Sequence, residues 1–169
     1  IYARWRALYQ RNHPGNSVHY RPVGSGAGIK AITAQEVDFG ASDALLKASE
    51  ERALRAPLLA VPTVIGQVVL AYNLPKVSGA ITLSGDTVAA IYLGEITRWN
   101  EIGGEDAPIT LHLTEPDIGI GALFADAVLR KESVNLADDV LVHGTLRGLT
   151  EAVANDPFGI GVSTYSQAG

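Results

Sequence analysis

YRPVGSGAGIKAITAQEVDFGASD, residues 20–43, sets the architecture of this chain. A run of extended character, 18–23, leads into the glycine-rich turn Gly24-Ser25-Gly26-Ala27-Gly28, after which Ile29, Ile32 and Thr33 mark a helix. A second short apolar run, 37–41, reads as a buried strand and ends on Ser42-Asp43. A strand, a turn without bulky side chains and a helix start bring free backbone N–H groups and a hydroxyl to one point, which suits an oxyanion. Asp43 adds a carboxylate beside them. It repels a fully ionised anion but accepts a hydrogen bond from one that still carries a proton.

The alternation continues outward in both directions. Tyr2, Trp5, Leu8 and Tyr9 predict a helix that ends near Asn12, ahead of His13-Pro14-Gly15. Ser49 is placed to cap a helix through Arg55, with Glu50 and Glu51 in its first turn. Residues 58–61 read as a short strand and 64–73 as a longer β-rich run stopped by Leu74-Pro75. Residues 87–92 read as a helix, ITRWNEI as a turn around an aromatic anchor, and 109–113 as a strand. A helix within 116–131 is expected to turn Leu123, Phe124, Ala127 and Val128 to the core. Thr145 caps another helix with Leu146, Leu149 and Val153 on one face, and Asn155-Asp156-Pro157 turns the chain into a last strand at 159–165. Strands alternating with helices indicate a layered α/β fold with ligands at the carboxyl ends of strands.

Bulk properties narrow the function. At 169 residues the chain fits one domain or two small lobes, and 47% hydrophobic with 18% charged residues describes a globular protein. Thirteen Lys and Arg against eighteen Asp and Glu give a formal charge of −5 without a basic run, so nucleic acid is not an expected partner. The longest apolar stretch, 61–74, is interrupted by Pro62, Gly66 and Gln67 and is too short to span a bilayer. No cysteine is present, and His13, His19, His112 and His143 are dispersed, so no metal site is expected. GSGAGIK lacks the Gly-Lys-Ser/Thr ending of a Walker loop and, at Ile29, the third glycine of a dinucleotide fingerprint. No GxSxG elbow occurs. These patterns carry no catalytic residue, and no cofactor is expected. Asp138-Asp139 reads as a solvated loop, and Trp5 and Trp99 read as core or surface anchors.

A set of words in fixed order goes further: IYARW from Ile1, VGSGAG from Val23, VDFGASDALL from Val37, PTVIGQVVLAYNLP from Pro62, LSGDTVAAIYLGEITRWNEI from Leu83 and FGIGVSTY from Phe158. Through them the chain resembles the phosphate-binding proteins of phosphate ABC transporters, the PstS family. The resemblance implies a type II periplasmic binding protein fold, two α/β lobes with a ligand cleft between them. Residues 1–66 would be a partial first lobe, 67–160 the second lobe, and 161–169 a strand returning toward the first. It implies capture of inorganic phosphate or a similar oxyanion, delivery to the permease of an ABC importer, and a periplasmic or extracellular place, attachment to the cell envelope included. Family members open with a strand and a Gly/Thr/Phe loop that supplies part of the site. With methionine absent even at position 1, the chain therefore reads as an excerpt with an incomplete first lobe. The other reading is a PstS-like domain of a larger receptor, envelope or sensory protein, with altered or vestigial binding.

The resemblance places Ser25 and Asp43, with Gly24 and Gly26 beside them, at the first-lobe phosphate contacts. By themselves Ser25 also fits plain turn chemistry and Asp43 a helix N-cap; on strand alternation Ser42 points the other way. The family's Arg-x-Asp-x-Ser-Gly-Thr word falls on Glu115 to Gly121. Asp117 is kept, while Glu115, Gly119 and Gly121 replace the arginine, serine and threonine. Gly119, Ile120 and Gly121 would offer backbone donors only. Each lost charge-assisted hydrogen bond removes about 1.5–3 kcal/mol, so weaker binding is expected.

Overall fold

The structure, a computed structural model, describes residues 1–76, 81–115, 119–129 and 139–168. In chain order the elements are α1 (Tyr2–Asn12), α2 (Ser25–Thr33), α3 (Ala48–Ala53), β1 (Val68–Tyr72), α4 (Gly85–Tyr92), β2 (Thr110–Thr114), α5 (Gly119–Phe124), β3 (Leu141–His143), α6 (Leu146–Asn155), β4 (Gly159–Thr164) and α7 (Tyr165–Ala168). A 3-10 turn, Trp99–Ile102, and a π turn, Ala125–Leu129, complete the set.

One mixed sheet, in the order β1-β4-β2-β3, organises the second half of the chain. Its alternating side chains divide two layers. Leu111, Leu113, Ile160 and Val162 join Val88, Ile91, Tyr92, Trp99 and Phe124 in the hydrophobic core. On the opposite face Gly161 lets α6 lie close: a Cβ there would stand 2.8 Å from Leu149 and 2.9 Å from Val153. Thr145 caps α6 as its sequence predicts, its hydroxyl accepting from the Gly148 N–H at 3.0 Å. The strand expected at 161–169 belongs to this sheet. It is β4, which starts at Gly159 and runs antiparallel to β1 and parallel to β2, and Tyr165–Ala168 is helical.

Two aromatic side chains in this core have their polar atoms paired. Trp99 is fully buried and its indole N–H donates to the Phe158 carbonyl at 2.9 Å. The Tyr92 hydroxyl donates to the His112 carbonyl at 3.1 Å, and burial raises its pKa, so it remains a neutral donor.

The first half differs from the expectation. The runs 18–23, 37–41 and 58–61 enter no ladder among the described residues. Apolar periodicity makes a segment fit to be a strand; only a hydrogen-bonded neighbour makes it one. Ser25 is the sole buried residue described in 1–66, and Leu45, Leu59 and Ile65 stand 85%, 87% and 98% exposed. Ser49 is not the cap of α3. Lys47 holds that position, and its N–H donates to the Glu50 carboxylate at 2.7 Å, so the helix starts before the serine. In the 116–131 helix Phe124 is buried, whereas Leu123 and Ala127 are exposed. The wider π turn after Phe124 rotates the later residues off the helical register.

An unforeseen relay joins the strand edge to the end of α6. His112 is 2% exposed; its Nε2 lies 2.9 Å from the Asp156 carboxylate and its Nδ1 lies 2.9 Å from His143 Nε2. With Asp156 accepting from Nε2–H, the His112 Nδ1–His143 Nε2 contact needs one proton between the two nitrogens. Two imidazolium rings would oppose N–H to N–H, so the pair does not hold both charges. Burial, then the charge of His112, lowers the His143 pKa.

Two measurements check this half of the molecule. Trp99→Ala opens a large cavity and orphans a carbonyl, so urea unfolding should show a loss of about 3–5 kcal/mol. For His143 the unfolded chain takes up the proton first. Stability is therefore complete above the ordinary histidine pKa of about 6.5 and falls as pH drops below it. His143→Asn should flatten that fall between pH 6.5 and the lower folded-state pKa; an unchanged slope would refute the assignment.

Candidate functional site

The glycine-rich turn does bring the predicted residues together. Gly24, at φ 86°, leads into α2, and no side chain caps that helix. The first backbone bond of the helix runs from Gly28 N–H to the Gly24 carbonyl at 3.0 Å, so the N–H groups of Ser25, Gly26 and Ala27 precede it. Helix α2 then lies directly on 37–41, because a Cβ on Gly28 would stand only 2.8 Å from the Ala41 carbonyl oxygen. This approach sets Ser25 against Asp43. The Asp43 N–H donates to Ser25 Oγ at 3.1 Å, which leaves the serine proton for another acceptor.

The Ser42 hydroxyl is engaged locally. It accepts from the Ala44 N–H at 3.1 Å and donates to the Ala44 carbonyl at 2.7 Å. The N-cap reading of Asp43 fails, because the next helix begins only at Ala48. Asp43 is exposed, which keeps its carboxylate hydrated and open to a partner.

The second segment reaches the same point from far along the chain. Gly119, Ile120 and Gly121 are buried at the start of α5. A Cβ on Gly119 would meet Ser25 Oγ at 2.7 Å and Asp43 Cβ at 2.9 Å. One on Gly121 would meet Thr114 Oγ1 at 2.8 Å. A side chain at Gly119 therefore requires the two segments to shift, whereas one at Gly121 meets only the turn between β2 and α5. Asp117 lies outside the described residues. Glu115 is held by its backbone N–H, which donates to the His143 carbonyl at 3.1 Å.

A cavity of about 140 Å³ adjoins Ser25 and Asp43, and Tyr2, Tyr20 and Arg21 also line it. Sequence reasoning did not single out these three. The signal was present in Arg21, a lone cation three residues before Gly24 on an extended run. Tyr2 is fixed by a 2.7 Å bond from its hydroxyl to that of Thr63 and by its ring 5.5 Å from that of Tyr20. A larger space of about 470 Å³ opens between 17–23 and 36–40. It holds neither Ser25 nor Asp43, so the smaller cavity is the candidate site.

The chain is similar in sequence and fold to known proteins. The chain is 43% identical over 102 residues to the phosphate-binding protein PstS of Pasteurella multocida, an alignment that covers 60% of this chain and 29% of that protein. Its fold superposes, with a TM-score of 0.84 and 25% identity, on a Clostridium perfringens protein provisionally assigned as a phosphate ABC transporter substrate-binding protein and solved with bound phosphate. That match covers 95% of this chain and 64% of the other. An ABC-type phosphate transport receptor from Vibrio cholerae shares the fold at a TM-score of 0.70 and 21% identity, over 97% of this chain and 66% of its own. The chain thus spans less than a third of the Pasteurella relative and under two thirds of the Clostridium one. The profile of the PBP superfamily domain matches residues 2–169, and the chain belongs to that superfamily.

Proposed function

We propose that this chain is the solute-binding part of an importer system, capturing inorganic phosphate or a related oxyanion in the cleft where α2 meets α5. The observation that carries the reading is the convergence of Ser25, Asp43 and Gly119 at one point. Ser25 donates its free hydroxyl proton to a phosphate oxygen. The backbone N–H groups at the start of α2 supply further donors, and Arg21 supplies positive charge at the cavity wall. Asp43 accepts the proton that phosphate retains and sulfate lacks. The names of the relatives support phosphate as ligand, and capture needs no catalytic group.

In this reading residues 1–66 and the part of the chain from 67 onward, with β4 in its sheet, form the two walls of the cleft. Closure over the ligand follows from tighter binding to the closed state. The partner is the permease of an ABC importer, and the working place is periplasmic or extracellular. A second reading is favoured by one observation: Gly119 itself occupies the space beside Ser25 and Asp43. A PstS-like domain of a larger receptor, envelope or sensory protein with vestigial binding accounts for a loop stripped of its side-chain donors.

Titration calorimetry on the full-length protein with phosphate, sulfate and arsenate separates the two. Phosphate and arsenate should bind much better than sulfate, and Asp43→Asn should narrow the gap. Equal phosphate and sulfate affinity removes the role given to Asp43, and no binding of any of the three favours the second reading.

Gly119→Ser tests the closed contact. Its side chain overlaps Ser25 Oγ, so X-ray scattering of the ligand-free variant should give a larger radius of gyration than the unsubstituted protein. An identical radius would show that the contact does not hold the walls together.

A further inference from the structure

No backbone hydrogen bond joins the run 18–23 to the run 37–41 among the described residues. They face each other instead across the cavity of about 470 Å³, which is lined from 17–23 and from 36–40. A second cavity, of about 250 Å³, adjoins it at Val18, Tyr20 and Phe39. Helix α2 borders the first through Gly28 and Ala31, and α1 borders the second through Tyr2, Trp5 and Tyr9. Both runs end at the candidate site, where the Asp43 N–H donates to Ser25 Oγ, so they are parallel, with α2 as the connection between them. Parallel runs of one sheet bond each other or a strand lying between them. Unpaired N–H and C=O groups along both are a template for such a strand.

We infer that this gap is a strand slot, occupied in the full-length protein by the segment that leads into Ile1 and pairs in parallel with both runs. The inference is independent of the phosphate reading. Tyr2 lines the small cavity beside Ser25 and Asp43, so α1 starts at the carboxyl end of the slot. A strand parallel to both runs ends at that same place and enters α1 directly, a continuity that a second copy of the chain lacks. The order is then strand, α1, 18–23, α2, 37–41: two successive β-α-β units with the added strand in the middle. Its chemistry follows from the walls. Gly28 and Ala31 are small and leave room for branched side chains on the α2 side. Trp5, Tyr9 and Phe39, all exposed without it, offer an apolar wall on the α1 side. A strand covered on both faces is a continuous run of residues such as Val, Ile and Leu, not an alternating one. Relatives have the length for it, because the matched part is 29% of the Pasteurella protein and 64% of the Clostridium one.

The test is NMR with amide hydrogen exchange on the intact full-length protein, without added phosphate. Scalar couplings across hydrogen bonds should join 18–23 and 37–41 to the segment before Ile1, in parallel register. Exchange in both runs should be slowed at least about a hundredfold relative to an unpaired chain, equally at low and high protein concentration. Deleting the segment should abolish that protection while residues 159–164 of β4 keep theirs, and adding it back as a synthetic peptide should restore it. If the deletion unfolds the whole chain, the couplings in the intact protein still decide. Bonds running directly from 18–23 to 37–41, or from either run to any other part of the chain, overturn the inference. So does rapid exchange in both runs, which shows an empty slot, and so does protection that grows with protein concentration, which shows a second copy in it.

Discussion

The site depends on backbone approaches too close for any side chain. Gly28 brings α2 onto 37–41, and Gly119 brings α5 onto α2. Each contact lies below 3 Å for a hypothetical Cβ, a separation real side chains do not tolerate. Without the first, Ser25 Oγ does not receive the Asp43 N–H. The second sets Gly119 against Ser25 and Asp43. Glycine is thus positional here: it is needed for the close contact and for nothing its own chemistry supplies.

Burial is divided unevenly around that junction. The sheet β1-β4-β2-β3, with Trp99 and Tyr92 fully buried beside it, holds the hydrophobic core. Residues 1–66 contribute Ser25 and no other buried residue described. The one described residue that the first half buries thus stands, with Asp43 beside it, against Gly119 of the second half. Buried apolar area is the main source of folding free energy, so the framework that positions the site is supplied from the side of α5 and β2. The first half is held by close backbone contact and by aromatic pairs such as Tyr2 with Tyr20.

Polar groups inside the framework are tied in a chain. Tyr92 bonds the carbonyl of His112, and the His112 ring bridges Asp156 and His143. The carbonyl of His143 in turn receives the N–H of Glu115, where the loop of the second segment begins. These links fix the end of β2 and leave Thr114 as the buried hydroxyl without a partner in that neighbourhood. A strand end so constrained presents its side chain in one place, which a loop does not.

Much of this was legible in the residues alone. The alternation of apolar periods specified the α/β class, and Gly24 to Gly28 marked the turn into α2. Thr145 marked the start of α6, and Ser25 with Asp43 marked a point the fold brings together. These features are local, governed by side-chain spacing and by capping or turn chemistry within a few residues. Others needed the tertiary structure. The runs 18–23, 37–41 and 58–61 have strand-like sequences but no ladder among the described residues, because pairing belongs to the neighbour and not to the segment. The His112–His143–Asp156 relay joins residues 31 and 44 positions apart. The meaning of Gly119 and Gly121 was also hidden. In sequence they are missing hydroxyls; in space they are the clearance that lets Ser25, Asp43 and Thr114 stand where they do, since excluded volume is decided only when distant segments meet.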